Sequence, residues 1–433
     1  MLGAIILILL LGTEIGFTVY CLLTKSYQKE KKSIAKIGIF LFLSVLVIIS
    51  IIKWSFRWYL LFFLLFIKAL IAVDYLIRSK GKIKKTFKRK YVMIACIGNL
   101  CFISLAVLPA LIFPQSKPIM PTGKYEVGTV SYTLTDSNRL EAFLDNKDNR
   151  KVTIQFWYPK NANGKYPLTI FSHGAFGYRG SNRSTYVELA SNGYVVCSID
   201  HTYQAFVTKQ TDGKSVFANK QFINDSMAVS NDKYDEKKTY ELSHEWLKLR
   251  IDDVNFVLDD ILNKTKKSDS DMVYHLINVD KIGLFGHSLG GATAAEVARE
   301  RTDIDAVIVI DGTMLGEGIG YKNGKEILNK IPYPVPILNI YNEEHYKSAL
   351  KHADSYANMV AAKNATDARN IVFKGAGHLN FTDLPIASPF LASLLGTGNI
   401  NSRYCIQTMN QVVLKYFNYY LKDDKELELQ EQY

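Results

Sequence analysis

Along this chain the rhythm of apolar positions changes once, near residue 113. Before that point the apolar residues come in nearly unbroken runs, at 2–23, 37–52, 58–77 and 92–113. Runs of this kind predict four membrane-spanning helices, because about 20 apolar residues are needed to cross a hydrocarbon layer of about 30 Å. The run at 37–52 is short and extendable at either end. After residue 119 short apolar runs alternate with longer amphipathic ones. The segments 125–134 and 152–158 predict an initial antiparallel pair of strands. Further strands follow at 166–171, 194–199, 281–285, 304–310, 335–341 and 369–373, and helices at 184–191, 239–262, 291–300, 345–362 and 402–421. In helix 239–262, Leu242, Trp246, Leu249, Phe256 and Ile261 fall near one face, a stripe for packing on a core. Alternating strands and helices predict an α/β domain around a mostly parallel sheet.

Two segments interrupt the alternation. Residues 201–238 form a polar insertion, and within it 207–218 carries a Thr211-Asp212-Gly213-Lys214 turn that predicts a β-hairpin. Residues 384–397 are apolar and read equally as a lip over a substrate site or as ordinary core. The expected organisation is a four-span region at 1–113, a linker at 114–123, a catalytic domain at 124–425 and a polar tail at 426–433.

Charge follows the same division. The chain has 52 basic and 41 acidic residues. Residues 1–113 hold 16 of the basic and 3 of the acidic ones, which leaves 36 against 38 for the rest. The basic excess therefore belongs to the loops between spans, and the pI of about 9.1 does not point to nucleic acid. The loop at 24–36 carries five lysines and the loop at 78–91 eight basic residues, against Lys53 and Arg57 in the loop between. By the positive-inside rule the first and third loops are cytoplasmic. An even number of spans then places both ends and the catalytic domain outside, on a multi-pass cell-membrane protein. Glu14 and Lys68 fall at similar depth in the first and third spans; they are expected to pair, since lone charges there are costly, with snorkelling or neutralisation of either as the equal alternative.

Cys21, Cys96 and Cys101 lie in spans, Cys197 in a strand and Cys405 at the head of the last helix. This is no disulfide framework, although a Cys197–Cys405 pair stays open. No cluster has the spacing of a metal site, no loop has that of a phosphate cradle, and no cofactor is expected.

Chemistry concentrates in Gly286-His287-Ser288-Leu289-Gly290, set between the strand 281–285 and a small-residue helix. G-x-S-x-G between strand and helix places a serine on a sharp turn above a sheet edge. The glycines remove side chains that would collide there. A serine hydroxyl alone is a weak nucleophile and needs a base and an acid. Asp311 ends the strand 304–310, and His378 follows the strand 369–373, giving the chain order Ser288, Asp311, His378. The first oxyanion donor is the N–H of Leu289. The second is expected from the loop after strand 166–171, Ser172-His173-Gly174-Ala175, with the Ala175 N–H as donor. Gly174 permits the tight backbone, His173 orders the loop, and His201 shapes the pocket wall. Glu343 and Glu344, after strand 335–341, compete with Asp311 for the role of acid. Asp311 is favoured because Gly312 permits the turn that aims it, while acids in a first helical turn occur for dipole reasons alone.

SHGAFGYR, GHSLGGATA, the Asp311-Gly312 pair and GAGHLNFTDL together resemble the platelet-activating factor acetylhydrolase group and its dienelactone-hydrolase-like bacterial relatives. IQFWYPK and QVVLKYFNYYLK are similar too. The resemblance covers most of residues 120–425 and none of the spans. It implies an α/β-hydrolase fold and metal-independent esterase action on short or oxidised acyl groups, with the triad acid at Asp311. The expected function is a membrane-anchored serine esterase acting on ester or lipid substrates. An envelope acyltransferase sharing the acyl-enzyme, and a non-catalytic acyl-binding module, are the alternatives.

Overall fold

The structure, a computed structural model, describes residues 2–78, 86–144 and 147–433. It divides into one unit of residues 1–117 with 386–391, and another of 118–385 with 392–433.

The first unit holds four helices, α1 (Leu2–Leu23), α2 (Lys29–Ile48), α3 (Phe56–Arg78) and α4 (Arg89–Ile112). Ile6, Leu10, Leu43, Trp58, Leu61, Leu65 and Ile103 pack inward. The outward face is also apolar, with Ile8, Phe42, Phe63, Ile71 and Phe102 each at least 60% exposed. A helix that is hydrophobic all round fits a membrane rather than water. Gly3 lies so close to α4 that a Cβ would stand 2.9 Å from the Ala110 oxygen, a close approach that only a small residue permits. The Tyr27 hydroxyl donates to Thr86 O at 3.2 Å, and the rings of Phe56 and Phe113 sit 5.5 Å apart. The C-terminus of α1 therefore meets the chain entering α4, and the start of α3 meets the end of α4, so α1 and α3 run in the same direction.

Three helices, α1, α3 and α4, are long and apolar enough to cross a membrane, with mean hydropathies of 2.2, 2.4 and 2.3. The sequence predicted four such spans, and α2 departs from that expectation. It begins at Lys29, eight residues before the expected span at 37, and ends at Ile48. Its first two turns carry Lys29, Glu30, Lys31, Lys32 and Lys36, which leaves an apolar stretch of about 18 Å at 1.5 Å per residue. Glu14 does not form the expected ion pair with Lys68; its Oε1 accepts from Asn99 Nδ2 at 3.0 Å. Lys80, Lys82, Lys84 and Lys85, counted in the basic third loop, lie outside the described residues.

The second unit is built on an eight-stranded sheet. In chain order its elements are β1 (Val127–Leu140), β2 (Asn149–Pro159), β3 (Tyr166–Ser172), α5 (Arg183–Ser191), β4 (Val195–Asp200), the hairpin β5 (Val207–Lys209) and β6 (Ser215–Phe217), α6 (Lys220–Ser230), α7 (Glu236–Thr265), α8 (Met272–His275), β7 (Ile277–His287) and α9 (Leu289–Glu300). There follow β8 (Ala306–Ile310), the ribbon β9 (Gly318–Lys322) and β10 (Lys325–Leu328), β11 (Ile337–Asn342), α10 (Glu343–Lys351), α11 (Ala357–Asn364), β12 (Ala368–Phe373), α12 (Leu384–Ala387), α13 (Pro389–Leu395) and α14 (Ser402–Leu421).

The strand order is β1-β2-β4-β3-β7-β8-β11-β12. β1 and β2 pair antiparallel, as do β2 and β4, and the remaining pairs are parallel. The period of two sends alternate residues to two cores. Leu168, Ile170, Val307 and Val309 meet α7, α9 and α11 on one face, whereas Phe171, Ile308 and Ile310 meet α5 and α14 on the other. The parallel edge is not open: Val372 N donates to Glu431 O at 2.9 Å and Tyr433 N to Val372 O at 3.0 Å.

Three local readings change. The helix expected over 345–362 is two helices, α10 and α11, separated by a turn at 352–356. The polar insertion contains the expected hairpin and also α6, whose Phe222 is buried. Phe390, Leu394 and Leu395 are exposed, so core packing does not explain the apolar run at 384–397. Cys197 and Cys405 are both free and buried.

Candidate active site

β7 runs straight into α9, and Ser288 sits at the junction with φ 56° and ψ −127°. An L-residue rarely adopts such a backbone, and here the surroundings enforce it. A Cβ on Gly286 would lie 2.1 Å from Gly290 O, and one on Gly290 would lie 2.0 Å from Ser172 O. No other residue type fits this turn, which is why the pentapeptide reads as it does. Ser288 N is anchored on Ile310 O at 2.8 Å.

Asp311 follows β8 directly, also at positive φ, 51°. It is 3% exposed and collects four hydrogen bonds. Oδ2 accepts from His378 Nδ1 at 2.6 Å and from Asn342 Nδ2 at 2.6 Å, while Oδ1 accepts from Asn342 N at 2.8 Å and from His345 Nδ1 at 2.9 Å. Burial pushes this carboxyl upward, but the hydrogen bonds from His345 and His378 outweigh it and hold it well below the usual carboxylate range. Asp311 thus stays ionised and holds the His378 ring by its Nδ1.

His287 supports the histidine loop from behind. Its Nε2 donates to His378 O at 3.0 Å, and the two rings lie 4.5 Å apart. Burial, then the neighbouring His378, pushes His287 down to about 3, so it is neutral. Glu343 does not reach His378: it takes the Gly375 N–H at 2.7 Å and pairs with Lys347 at 2.6 Å.

The loop after β3 packs on the serine. A Cβ on Gly174 would stand 3.1 Å from that of Ser288 and 3.0 Å from His287 Nδ1. Two donors hold Gly174 O, the His173 Nδ1–H at 2.6 Å and the Gly177 N–H at 3.0 Å. In a trans peptide the next N–H points the opposite way, so holding this oxygen fixes where the Ala175 N–H points. Among the described residues neither the Ala175 nor the Leu289 N–H has a protein acceptor. The side chains of Ala175, Phe176 and Leu289 rest against Phe222 of α6 and Leu242 and Trp246 of α7. That apolar wall also borders a cavity of about 700 Å³, which Ser288, Asp311 and His378 do not line.

Beneath the loop is a second cluster that sequence reading did not anticipate beyond His173 and His201. Ser172 Oγ is 2.8 Å from His201 Nε2, and His201 Nδ1 is 3.0 Å from Asp253 Oδ2. Arg150, 1% exposed, clasps Asp253 at 2.7 Å and Glu141 at 3.0 Å. Arg250 donates to His173 O and, at 2.6 Å, to Gln204 Oε1. Burial pushes His201 down to about 4. His345 was missed as well; its Nε2 meets the Tyr356 hydroxyl, which in turn bonds Thr313 Oγ1 at 2.8 Å. The available signal was Asn342, which ends β11 beside β8 and caps α10 by accepting from His345 N at 2.9 Å.

A profile of platelet-activating factor acetylhydrolase, isoform II, matches residues 115–432. The chain belongs to this family. It is 28% identical over 293 residues to the platelet-activating factor acetylhydrolase of Cavia porcellus, covering 64% of this chain and 62% of that protein. To the protein of the same name from Bos taurus it is 25% identical over 285 residues, covering 61% and 59%. The chain thus spans about three fifths of the length of these curated relatives. A ferulic acid esterase from Streptomyces cinnamoneus superposes with a TM-score of 0.55 at 20% identity, over 72% of this chain and 95% of the esterase. That likeness carries the α/β-hydrolase fold. The expected family and fold class therefore hold, and the family match does not extend over the helical unit ahead of residue 115.

Proposed function

We propose that this acetylhydrolase-family chain is a membrane-anchored serine esterase that hydrolyses carboxylic esters of lipids, with short or oxidised acyl groups, through Ser288, His378 and Asp311. The observation that carries the reading is the pairing of a strained, elevated serine, flanked by two N–H groups without protein acceptors, with a histidine held by a buried ionised aspartate. His378 Nε2 takes the Ser288 proton as Oγ attacks the ester carbonyl. Asp311 stabilises the imidazolium that forms. The Ala175 and Leu289 N–H groups hold the oxyanion, and neither has to give up a protein partner to do so. The tetrahedral intermediate collapses, the alcohol leaves with the proton from His378, and the acyl group stays on Ser288. Water then adds by the same route, giving its proton to His378, and the acid departs as His378 returns that proton to Ser288 Oγ. Phe222, Leu242 and Trp246, beside the oxyanion donors, supply an apolar surface for the acyl group. No step calls on a metal or cofactor.

The helical unit is proposed as the anchor. α1 and α3 run in the same direction, so if both cross, α2 must carry the chain back between them, and the crossings number four. Lys25, Lys29, Lys31 and Lys32 lie at the end of the bundle shared with Arg78, Lys88, Arg89 and Lys90, opposite Lys53 and Arg57. The positive-inside rule puts that end in the cytoplasm and the esterase unit outside.

The test is turnover by the full chain in detergent micelles of an ester panel graded in acyl length and head group, with and without alcohol acceptors. Hydrolysis that falls with acyl length and vanishes in Ser288→Ala supports the reading. Acyl transfer in place of hydrolysis would make the protein an acyltransferase. Binding without turnover would make it an acyl-binding module, and wild-type turnover by Ser288→Ala would overturn the site.

A further inference from the structure

The helical unit holds more cations than anchoring requires. A cavity of about 40 Å³ between its helices is lined by Glu14 of α1, Lys32 and Lys36 of α2, and Lys68 of α3. Three lysines line it with one carboxylate, which also accepts from Asn99 of α4 at 3.0 Å. Among the described residues the one ion pair within the four helices is Arg78–Asp74 on their surface, so neither Lys36 nor Lys68 has a carboxylate within 4 Å. Unpaired ammonium groups inside an apolar bundle are costly. Their retention around a cavity is explained if an anion completes them.

The way in is also visible. Lys29, Lys32 and Lys36 are spaced three and four apart and share one face of α2, a ladder from the basic end of the bundle towards its middle. Lys36 lies seven residues into α2, about 10 Å from that end, and Lys68 and Glu14 lie about 14–15 Å from it. Lysine stems are long enough to lift the charge back by several ångströms. Beside α2 the apolar stretch is only about 18 Å against a hydrocarbon layer of about 30 Å. Such a mismatch is relieved by local thinning, which brings head groups down to the level of the ladder. A free anion would have to leave water for this apolar surround, whereas a lipid phosphate arrives with its tails against the exposed apolar faces of the helices.

We infer that the cavity between α1, α2 and α3 is a binding site for the phosphate of an anionic phospholipid from the leaflet at the basic end, with Lys32, Lys36 and Lys68 as its ligands. The inference rests on the anchoring reading above. It gives the helical unit a role as a lipid-selective dock for the esterase unit.

The experiment has two stages. Carbonate extraction of membranes holding the full chain comes first: a chain released there refutes the anchoring reading itself. A chain that stays is reconstituted in nanodiscs of phosphatidylcholine with and without phosphatidylglycerol, exchanged into detergent, and its retained lipid counted by native mass spectrometry. The wild type should keep about one phosphatidylglycerol, with at least tenfold preference over phosphatidylcholine. Lys36→Gln/Lys68→Gln should lose the preference while still hydrolysing a soluble short-chain ester. Glu14→Gln, which removes the competing anion, should keep or strengthen it. Lys25→Gln/Lys31→Gln, which thins the surface charge only, should leave it within about threefold. Equal retention of both lipids, retention by the Lys36/Lys68 variant, or loss in Glu14→Gln to the level of that variant would each overturn the site. Should the Lys36/Lys68 variant fail to insert, the wild-type preference and the Glu14→Gln result decide.

Discussion

Two serine–histidine–aspartate sets lie within the second unit, the proposed site at Ser288, His378 and Asp311 and a buried cluster at Ser172, His201 and Asp253. In both, a histidine Nδ1 meets an aspartate, at 2.6 Å in the first and 3.0 Å in the second. In both, the aspartate is held below the usual carboxylate range. The difference lies in what surrounds them. The His378 side chain is 43% exposed and that of His201 is fully buried. Ser288 sits in a strained turn at the head of a helix, whereas Ser172 is the last residue of an extended strand and spends its hydroxyl on His201. Asp253 is neutralised by Arg150 and Arg139, while Asp311 meets only neutral donors and histidines. The buried grouping has the side chains of a catalytic site without access and with its acid already paired. It holds β3 and the loop that follows. On the proposed function, chemistry at the first grouping is thus tied to the rigidity of the second.

The comparison can be broken most directly at the serines. Ser288→Ala should remove several orders of magnitude of ester turnover. Ser172→Ala should keep turnover within about tenfold, the effect of roughly 1.4 kcal/mol in the barrier. Steady-state kinetics on one ester measures both, and a larger loss at Ser172 would reverse the assignment. At the acids, Asp311→Asn should cost on the order of a thousandfold or more in kcat, because an amide presents the wrong partner to His378 Nδ1–H. Neutralising Glu343 and Glu344 together should cost less than about tenfold; the opposite pattern would move the acid to the end of β11. Asp253→Asn leaves Arg150 buried against one fewer charge, so it should lower stability by about 3–5 kcal/mol, read by denaturant unfolding of the full chain. A loss of turnover without a loss of stability there would make the second grouping catalytic.

The smallest expected effect separates the groupings by pH. Burial, the leading cause at each, keeps His173, His201 and His287 neutral, with His201 pushed down to about 4 and His287 to about 3. Their folded values lie below the unfolded value of about 6.5, so their contribution to stability is complete above about pH 6.5. As pH falls below that, the unfolded chain takes up protons that the fold refuses. Each histidine then removes up to about 1.4 kcal/mol per unit of pH, down to about pH 4 for His201. Unfolding midpoints across pH 7 to 4 should decline, and His201→Asn should flatten the decline relative to its own value at pH 7. An unchanged slope in that variant would remove His201 from the account.

Much of the site was legible because each residue is declared by local chemistry. Gly286 and Gly290 mark the turn at Ser288, and strand ends followed by glycine mark Asp311 and His378. The family motifs were legible for the same reason. What was missed depends on which strands become neighbours. His345 reaches Asp311 only because β11 lies beside β8, and Asp253 reaches His201 only because α7 packs under β4, contacts that no spacing along the chain encodes. The break between α10 and α11 has no glycine or proline to announce it; Tyr356 there is turned to His345 and Thr313, a tertiary demand overriding a continuous helical pattern. The ribbon β9–β10 was announced, by Asn323-Gly324 with both residues at positive φ, and was read past because the flanking strands are short. In the helical unit hydropathy located four helices, but the lysines at the head of α2 extend that helix into a region where a hydropathy window sees no span.

Ser288 and Asp311 both stand at positive φ, 56° and 51°, so on the proposed function backbone and chemistry pull them in opposite directions. Backbone sterics alone favour glycine at such positions, and strain of this kind costs about 1–3 kcal/mol per residue. A population of variants screened only for folding would drift towards Ser288→Gly, gaining stability at each round and losing chemistry at the first. On the proposed function, the serine at this turn is kept for its hydroxyl and opposed by the fold that carries it.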